Sequence, residues 1–178
     1  RVHIVNRLDR NTSGICIFAK HKYIQELITK AMKDGNFMKE YIAVVYGKME
    51  EKRGVLEGKI ARKKDSIILR EVSETGDEAK TEYEVLSCNK GKNYSVVKII
   101  LHTGRTHQIR VHMSDIGHPL LGDELYIKEA ERRYKIKNIC TDINRQALHA
   151  AKVKIKLDIL NIYLEIEANL PEDMKKII

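Results

Sequence analysis

The chain predicts an α+β fold, one domain over residues 1–178 built around a largely antiparallel sheet with flanking helices. Three observations carry this. Short apolar runs of strand chemistry recur along most of the chain, and only two stretches keep helical spacing. Near the C-terminus, two runs that alternate apolar with charged residues flank a turn, as a hairpin requires.

Residues 14–19 form a short apolar run, which predicts a buried strand. A helix is expected over 22–33, because Ile24, Leu27, Ile28, Ala31 and Met32 share one face and Gly35 stops it. Strands follow at 39–47, 55–61, 80–87 and 94–101. The stretch 106–116 reads as a short helix, with Ile109, Met113 and Ile116 on one side and Gly117 at its end. In the hairpin, Val153, Ile155 and Leu157 alternate with Lys152, Lys154, Lys156 and Asp158. Leu164 and Ile166 then alternate with Tyr163, Glu165 and Glu167, so one buried and one wet face are expected.

At 178 residues, 43% hydrophobic and 33% charged, the chain can bury a core of ordinary size. Its net charge of +8 favours an anionic partner over none, although a solvated basic surface would give the same total. The basic residues cluster: Arg7, Arg10, Lys20 and Lys22 near the first strand, residues 62–64 after the third, and Arg132, Arg133, Lys135 and Lys137 in a connection. Cys16, Cys88 and Cys140 are scattered and form no C-x-x-C pair, which excludes a disulfide framework or zinc knuckle and suits a reducing, cytoplasmic setting. No apolar run reaches membrane-spanning length, so no membrane is expected among its partners.

Two segments carry chemistry. In Asn6-Arg7-Leu8-Asp9-Arg10-Asn11-Thr12-Ser13-Gly14, two arginines bracket one aspartate ahead of a turn-permitting glycine. Cations on both sides keep a carboxylate ionised, as a nucleophile or electrostatic stabiliser needs. A lone aspartate in a turn more commonly just accepts backbone hydrogen bonds. The second segment, residues 101–112, places Gly104, Arg105, His107, Arg110 and His112 where a strand gives way to a helix, a position suited to anions. Its three histidines invite a metal reading. His107 and His112, however, are five apart and diverge on a helix, so no metal site is expected.

Together these segments resemble the RluA-type RNA pseudouridine synthases. Residues 6–14 are similar to that family's H-R-L-D-x-x-T-S-G signature, and residues 103–112 to its T-G-R-T-H-Q-I-R-V-H segment. Residues 118–123, 145–150, Lys39-Glu40-Tyr41 and Thr81-Glu82-Tyr83 match further blocks in order, from Arg7 to about Pro171. The resemblance implies the pseudouridine synthase catalytic fold, a mixed, largely antiparallel sheet with a central active-site cleft. It also implies Asp9 as the residue that attacks the target uridine, Tyr41 packed on the uracil ring, and Arg110 as the ion-pair partner of Asp9. Arg7, Arg10, Arg105 and His107 would contact RNA. The expected substrate is a uridine in ribosomal RNA more than in transfer RNA, with no cofactor and no obligate protein partner. A catalytically silent RNA-binding module is the rival expectation, although binding alone has no use for Asp9. A nucleosidase or glycosidase would want a second carboxylate facing Asp9, and the sequence offers none. Asn6 stands where the family carries histidine. The family also has a first strand and an N-K-P segment before the first motif, often after an S4-type RNA-binding domain, so a chain opening on Arg1 is expected to be a piece of a longer protein.

Overall fold

The computed structural model describes residues 1–137, 139 and 142–178, so Cys140 lies outside the described residues; Cys16 and Cys88 are exposed and free. Among the described residues the elements run β1 (His3–Ile4), β2 (Ser13–Gly14), β3 (Phe18–Ala19), α1 (Lys22–Lys33), β4 (Phe37–Tyr46), β5 (Arg53–Arg62), β6 (Arg70–Val72), β7 (Asp77–Asn89), β8 (Tyr94–Leu101), α2 (Gln108–Asp115), α3 (Glu124–Tyr134), β9 (Leu148–Leu157), β10 (Ile162–Glu167) and α4 (Glu172–Lys175). The fold is α+β, as the sequence predicts. One eight-stranded sheet runs β10-β9-β4-β8-β7-β5-β6 with every neighbour antiparallel, and β2 joins it parallel to β9.

The centre of the sheet is covered on both faces, which explains the nearly unbroken apolar run of β4. Tyr41, Ala43 and Val45 face a cluster with Ile109 and Met113 of α2, while Val44 faces a second cluster with Ile127 of α3 and Met174 of α4. Ala43, Val44 and Val45 are fully buried. Burial of a side chain the size of Val44 or Val45 contributes roughly 1.5–3 kcal/mol. Helix α1 lays Ile28 and Ala31 against Phe37, Val153 and Ile155 in a third cluster.

Several expectations need correction. Residues 14–19 are not one buried strand: Ser13–Gly14 pairs with β9, Phe18–Ala19 pairs with β1, and only Ala19 is fully sequestered. Gly14, at φ +111, is where the chain breaks between the two sheets. Arg132 and Arg133 lie in the last turn of α3, not in a connection. The buried stripe of α3, Tyr126, Ile127 and Ala130, is hidden in the sequence among charged residues. In the terminal hairpin β9 buries Val153, Ile155 and Leu157 as expected, but β10 is exposed on both faces. As an edge strand it carries Glu165 and Glu167 against Lys152 and Lys154, the kind of charge that discourages edge-to-edge association. No described helix is long and apolar enough to cross a membrane.

Candidate active site

The loop from Asn6 to Gly14 is held at both ends and from behind. Asn6 Oδ1 accepts the Ile17 amide at 2.7 Å, so asparagine closes the loop by itself at the position where the signature has histidine. The Thr12 amide donates to Asp9 O at 3.0 Å, with Asn11 in the left-handed region at φ +69. Behind the turn, Gln146 Nε2 donates to Arg10 O at 2.6 Å and to Thr12 Oγ1 at 3.1 Å. Arg145 donates to Asn11 O and is itself anchored by Asp173 through two bonds of 2.7 and 2.9 Å. Ser13 Oγ lies 2.9 Å from His149 Nδ1. The block 145–150 is therefore the brace of the Asp9 loop. Gly14 is required here, because a Cβ would stand 2.2 Å from Ala150 O.

Asp9 opens into a cavity of about 430 Å³, within the roughly 300–1,000 Å³ of small-ligand sites. Leu8, Phe37, Leu101, Ile109 and Leu148 give it apolar walls, and Arg7, Lys39 and Arg105 supply cations. Tyr41 lines the same cavity from β4, at a register shift against β9 where Ala151 is the extra residue. Such bulges re-aim a side chain. Burial pushes the Tyr41 hydroxyl up to about 12, helped by the negative charge of Asp9, so it keeps its proton at neutral pH. Burial pulls the Lys39 ammonium below its ordinary value.

Arg110 is buried beneath the wall and reaches the cavity only through Asp9. Its Nη1 lies 3.7 Å from Asp9 Oδ2, while Nε and Nη2 donate to the two oxygens of Asp123 at 2.6 and 2.8 Å. Its guanidinium also covers the Tyr126 ring, 4.9 Å from the centroid. Tyr126 OH accepts the Arg70 amide at 3.1 Å and lies 2.9 Å from His107 Nδ1. With its acceptor site filled, the Tyr126 hydroxyl has its proton free for His107 Nδ1. Burial and then the Arg110 charge lower the His107 pKa, so the ring is neutral at physiological pH.

Asp9, Tyr41 and Arg110, far apart in sequence, thus converge. Arg7 and Arg105 line the cavity; the exposed Arg10 does not, and its carbonyl serves the loop instead. His107, expected at the RNA surface, turns its ring to Tyr126 and is not among the cavity residues. Asp123 falls inside the matched block 118–123 without being assigned a role there, and nothing in the sequence singles out Tyr126. The signal for Asp123 was its place as N-cap of α3, where it accepts from the Tyr126 amide at 3.4 Å. The three histidines of the second segment go to three different partners: His102 to Glu82, His107 to Tyr126 and His112 to Thr81. Among the described residues no group of three or more His, Cys, Asp or Glu stands where it could hold a metal ion.

A family model described as RNA pseudouridylate synthase matches residues 1–115. The chain belongs to that family. It is 41% identical over 177 residues to an uncharacterized RNA pseudouridine synthase of Bacillus subtilis, YjbO, and 38% identical over 183 residues to the ribosomal large subunit pseudouridine synthase D of Blochmanniella floridana. These alignments cover 99% and 98% of the chain, but 58% and 56% of the two relatives, so it spans little more than half of their length. They support the RluA-type resemblance. The solved structure of human RNA pseudouridylate synthase domain containing 1 superimposes with a TM-score of 0.77 at 26% identity, covering 95% of this chain and 69% of that one. The fold of this synthase family is therefore the fold of this chain.

Proposed function

We propose that the chain isomerises a uridine of RNA to pseudouridine, with Asp9 as its nucleophile. The observation that carries this reading is the placement of the Asp9 carboxylate in a cavity with both apolar and cationic walls, backed by a buried arginine. The uracil ring would lie against Tyr41, and Arg110 would keep Asp9 ionised and aimed. The reaction must break the bond between N1 and C1′, turn the ring, and join C5 to C1′. Attack of Asp9 on C1′, addition to C6 and loss of the C2′ proton each start from an ionised Asp9. Every atom of the product comes from the substrate, so no cofactor, metal or co-reactant enters the balance. A stacked uridine cannot reach Asp9, so the nucleotide must flip out at a cost of a few kcal/mol. Arg7, Arg10 and Arg105 would offset that cost through phosphate contacts, and His107 would act one layer back, on Tyr126.

Ribosomal RNA, in the cytoplasm, is the favoured substrate over transfer RNA; the names of the synthase D relatives support it. The test is incubation of the protein with RNA from cells that lack it, followed by pseudouridine mapping. New pseudouridine at a defined site supports the reading. RNA binding with no isomerisation would instead identify a silent binding module.

A further inference from the structure

A second recess opens beside the uridine cavity and shares with it the turn Gly104, Arg105 and Thr106. It measures about 470 Å³ and is lined by Arg62, Arg70 and Arg105, with Thr75, Thr106 and Asp77 among the remaining wall residues. Arg62 at the end of β5 pairs directly across from Arg70 at the start of β6. Like charges in register across two strands oppose the pairing. Arg105 is fixed from the other side by its Nε, which donates to Glu78 O at 2.9 Å.

The distribution of ion pairs sharpens this. Arg53, Arg110, Arg132, Arg133 and Arg145 each have a carboxylate partner. Among the described residues, Arg62, Arg70 and Arg105 have no carboxylate oxygen within 4.0 Å, even with Asp77 in the same wall. Among the described residues six arginines thus lack a carboxylate partner, Arg1, Arg7, Arg10, Arg62, Arg70 and Arg105, and the last three line this one groove. Lys63, next to Arg62, is by contrast tied to Glu129 on the neighbouring face.

We propose that this groove binds the phosphodiester backbone of the RNA strand that flanks the flipped uridine. The inference rests on the reading given above for the cavity. A strand with one nucleotide in the cavity must leave over one of its edges. Gly104 contributes no side chain to this edge, and the recess beyond it is lined by three arginines. A polyanion brings enough negative charge to meet all three, whereas one small free anion would leave part of that positive charge uncompensated. Contacts to phosphates position a strand without reading its bases, so the groove holds the substrate in place and leaves the choice of uridine to other contacts.

The test is binding of a labelled oligouridylate, by anisotropy across a salt series, to wild type, Arg62→Gln and Arg53→Gln. Arg62→Gln should weaken binding several-fold and make the slope of log affinity against log salt shallower by about 0.7, the single-strand value for one phosphate contact. Arg53→Gln, which removes an equal charge from a paired arginine, should leave the slope at the wild-type value. In the isomerisation assay Arg62→Gln should raise KM and leave kcat unchanged. A wild-type slope and affinity for Arg62→Gln overturn the groove assignment, and so does an equal change in Arg53→Gln. If wild-type protein forms no pseudouridine, the catalytic reading fails, while the salt slopes still decide the groove.

Discussion

Asp123 holds Arg110 through two short bonds, 2.6 Å to Nε and 2.8 Å to Nη2, and leaves the third nitrogen to Asp9 at 3.7 Å. The arginine is therefore fixed by one carboxylate and offered to another. Both Arg110 and Asp123 are almost fully withdrawn from solvent. Removal of Asp123 leaves the buried Arg110 with only the more distant Asp9 carboxylate, so Asp123→Ala should cost about 3 kcal/mol in a denaturant melt, the low end for breaking a buried pair. Asp123→Asn keeps the shape but loses the charge that fixes Arg110. Its kcat should fall about 10- to 100-fold, the range found when groups that orient metal ligands are removed, with KM little changed. A wild-type kcat for the asparagine variant would mean that Arg110 needs no such anchor.

Asp9→Asn tests the centre of the reading. The side chain is partly open to the cavity, and the turn uses the Asp9 carbonyl, which the substitution leaves intact. Isomerisation should drop by about three orders of magnitude or more, as for loss of a nucleophile elsewhere. Affinity for RNA should hold within a few-fold, because phosphate contacts come from other residues. Residual turnover near the wild-type rate would remove Asp9 from the chemistry.

Much of this site was legible in the sequence because its residues come in contiguous blocks. Asp9, Tyr41 and Arg110 each sit in a motif, and the helix 22–33 and the strand 94–101 match α1 and β8 residue for residue. What escaped was set by tertiary context. The stripe of α3 has only Tyr126, Ile127 and Ala130 buried, amid Glu129, Glu131, Arg132 and Arg133, so its periodicity is drowned by charge. Asp123 resembles any cap residue until the fold brings Arg110 against it. The run 14–19 is apolar enough for one strand, yet Gly14 must approach β9 closely and the chain then departs to pair with β1. The resemblance implies an RNA contact for His107, whose backbone lies in the left-handed region at φ +58 and whose ring meets Tyr126 edge-on.

Gly14→Ala should disturb the loop more than the fold. The new Cβ would meet Ala150 O at 2.2 Å, a backbone atom that cannot swing aside, and the φ of +111 is itself unfavourable for alanine. Because Ser13 and Gly14 pair with His149 and Ala150, the strain falls on the brace behind Asp9. A loss of kcat larger than the loss in thermal midpoint would fit. Full activity in this variant would show that the loop tolerates displacement.

Chelator treatment should leave the isomerisation rate unchanged, since each histidine of the second segment already has a separate partner. The measurement is the initial rate with and without chelator, followed by added zinc. A rate that falls and is restored by zinc would contradict the assignment of these histidines.

Burial holds the His112 ring below its ordinary value of 6.5, and the opposing charge of Asp115 does not restore it. Its Nδ1 lies 2.9 Å from Thr81 Oγ1, and Nε2 is buried without a partner among the described residues, so a protonated ring would carry an uncompensated charge in the core. The unfolded chain takes up this proton near 6.5, whereas the folded chain resists it until lower pH. The stabilising contribution is therefore complete above 6.5 and drains away as pH falls from there towards the folded value. His107, lowered by burial and Arg110, adds a second group of the same sign. Each can contribute up to about 1.36 kcal/mol per pH unit across its window. Unfolding free energies of wild type and His112→Gln, measured from about pH 7 to about pH 5, should both decline, with the shallower decline in the variant. The variant starts from lower stability, because it loses packing around Thr81, so the slope and not the absolute value is decisive. Parallel slopes would mean that His112 takes up its proton in the folded protein as readily as in the unfolded chain.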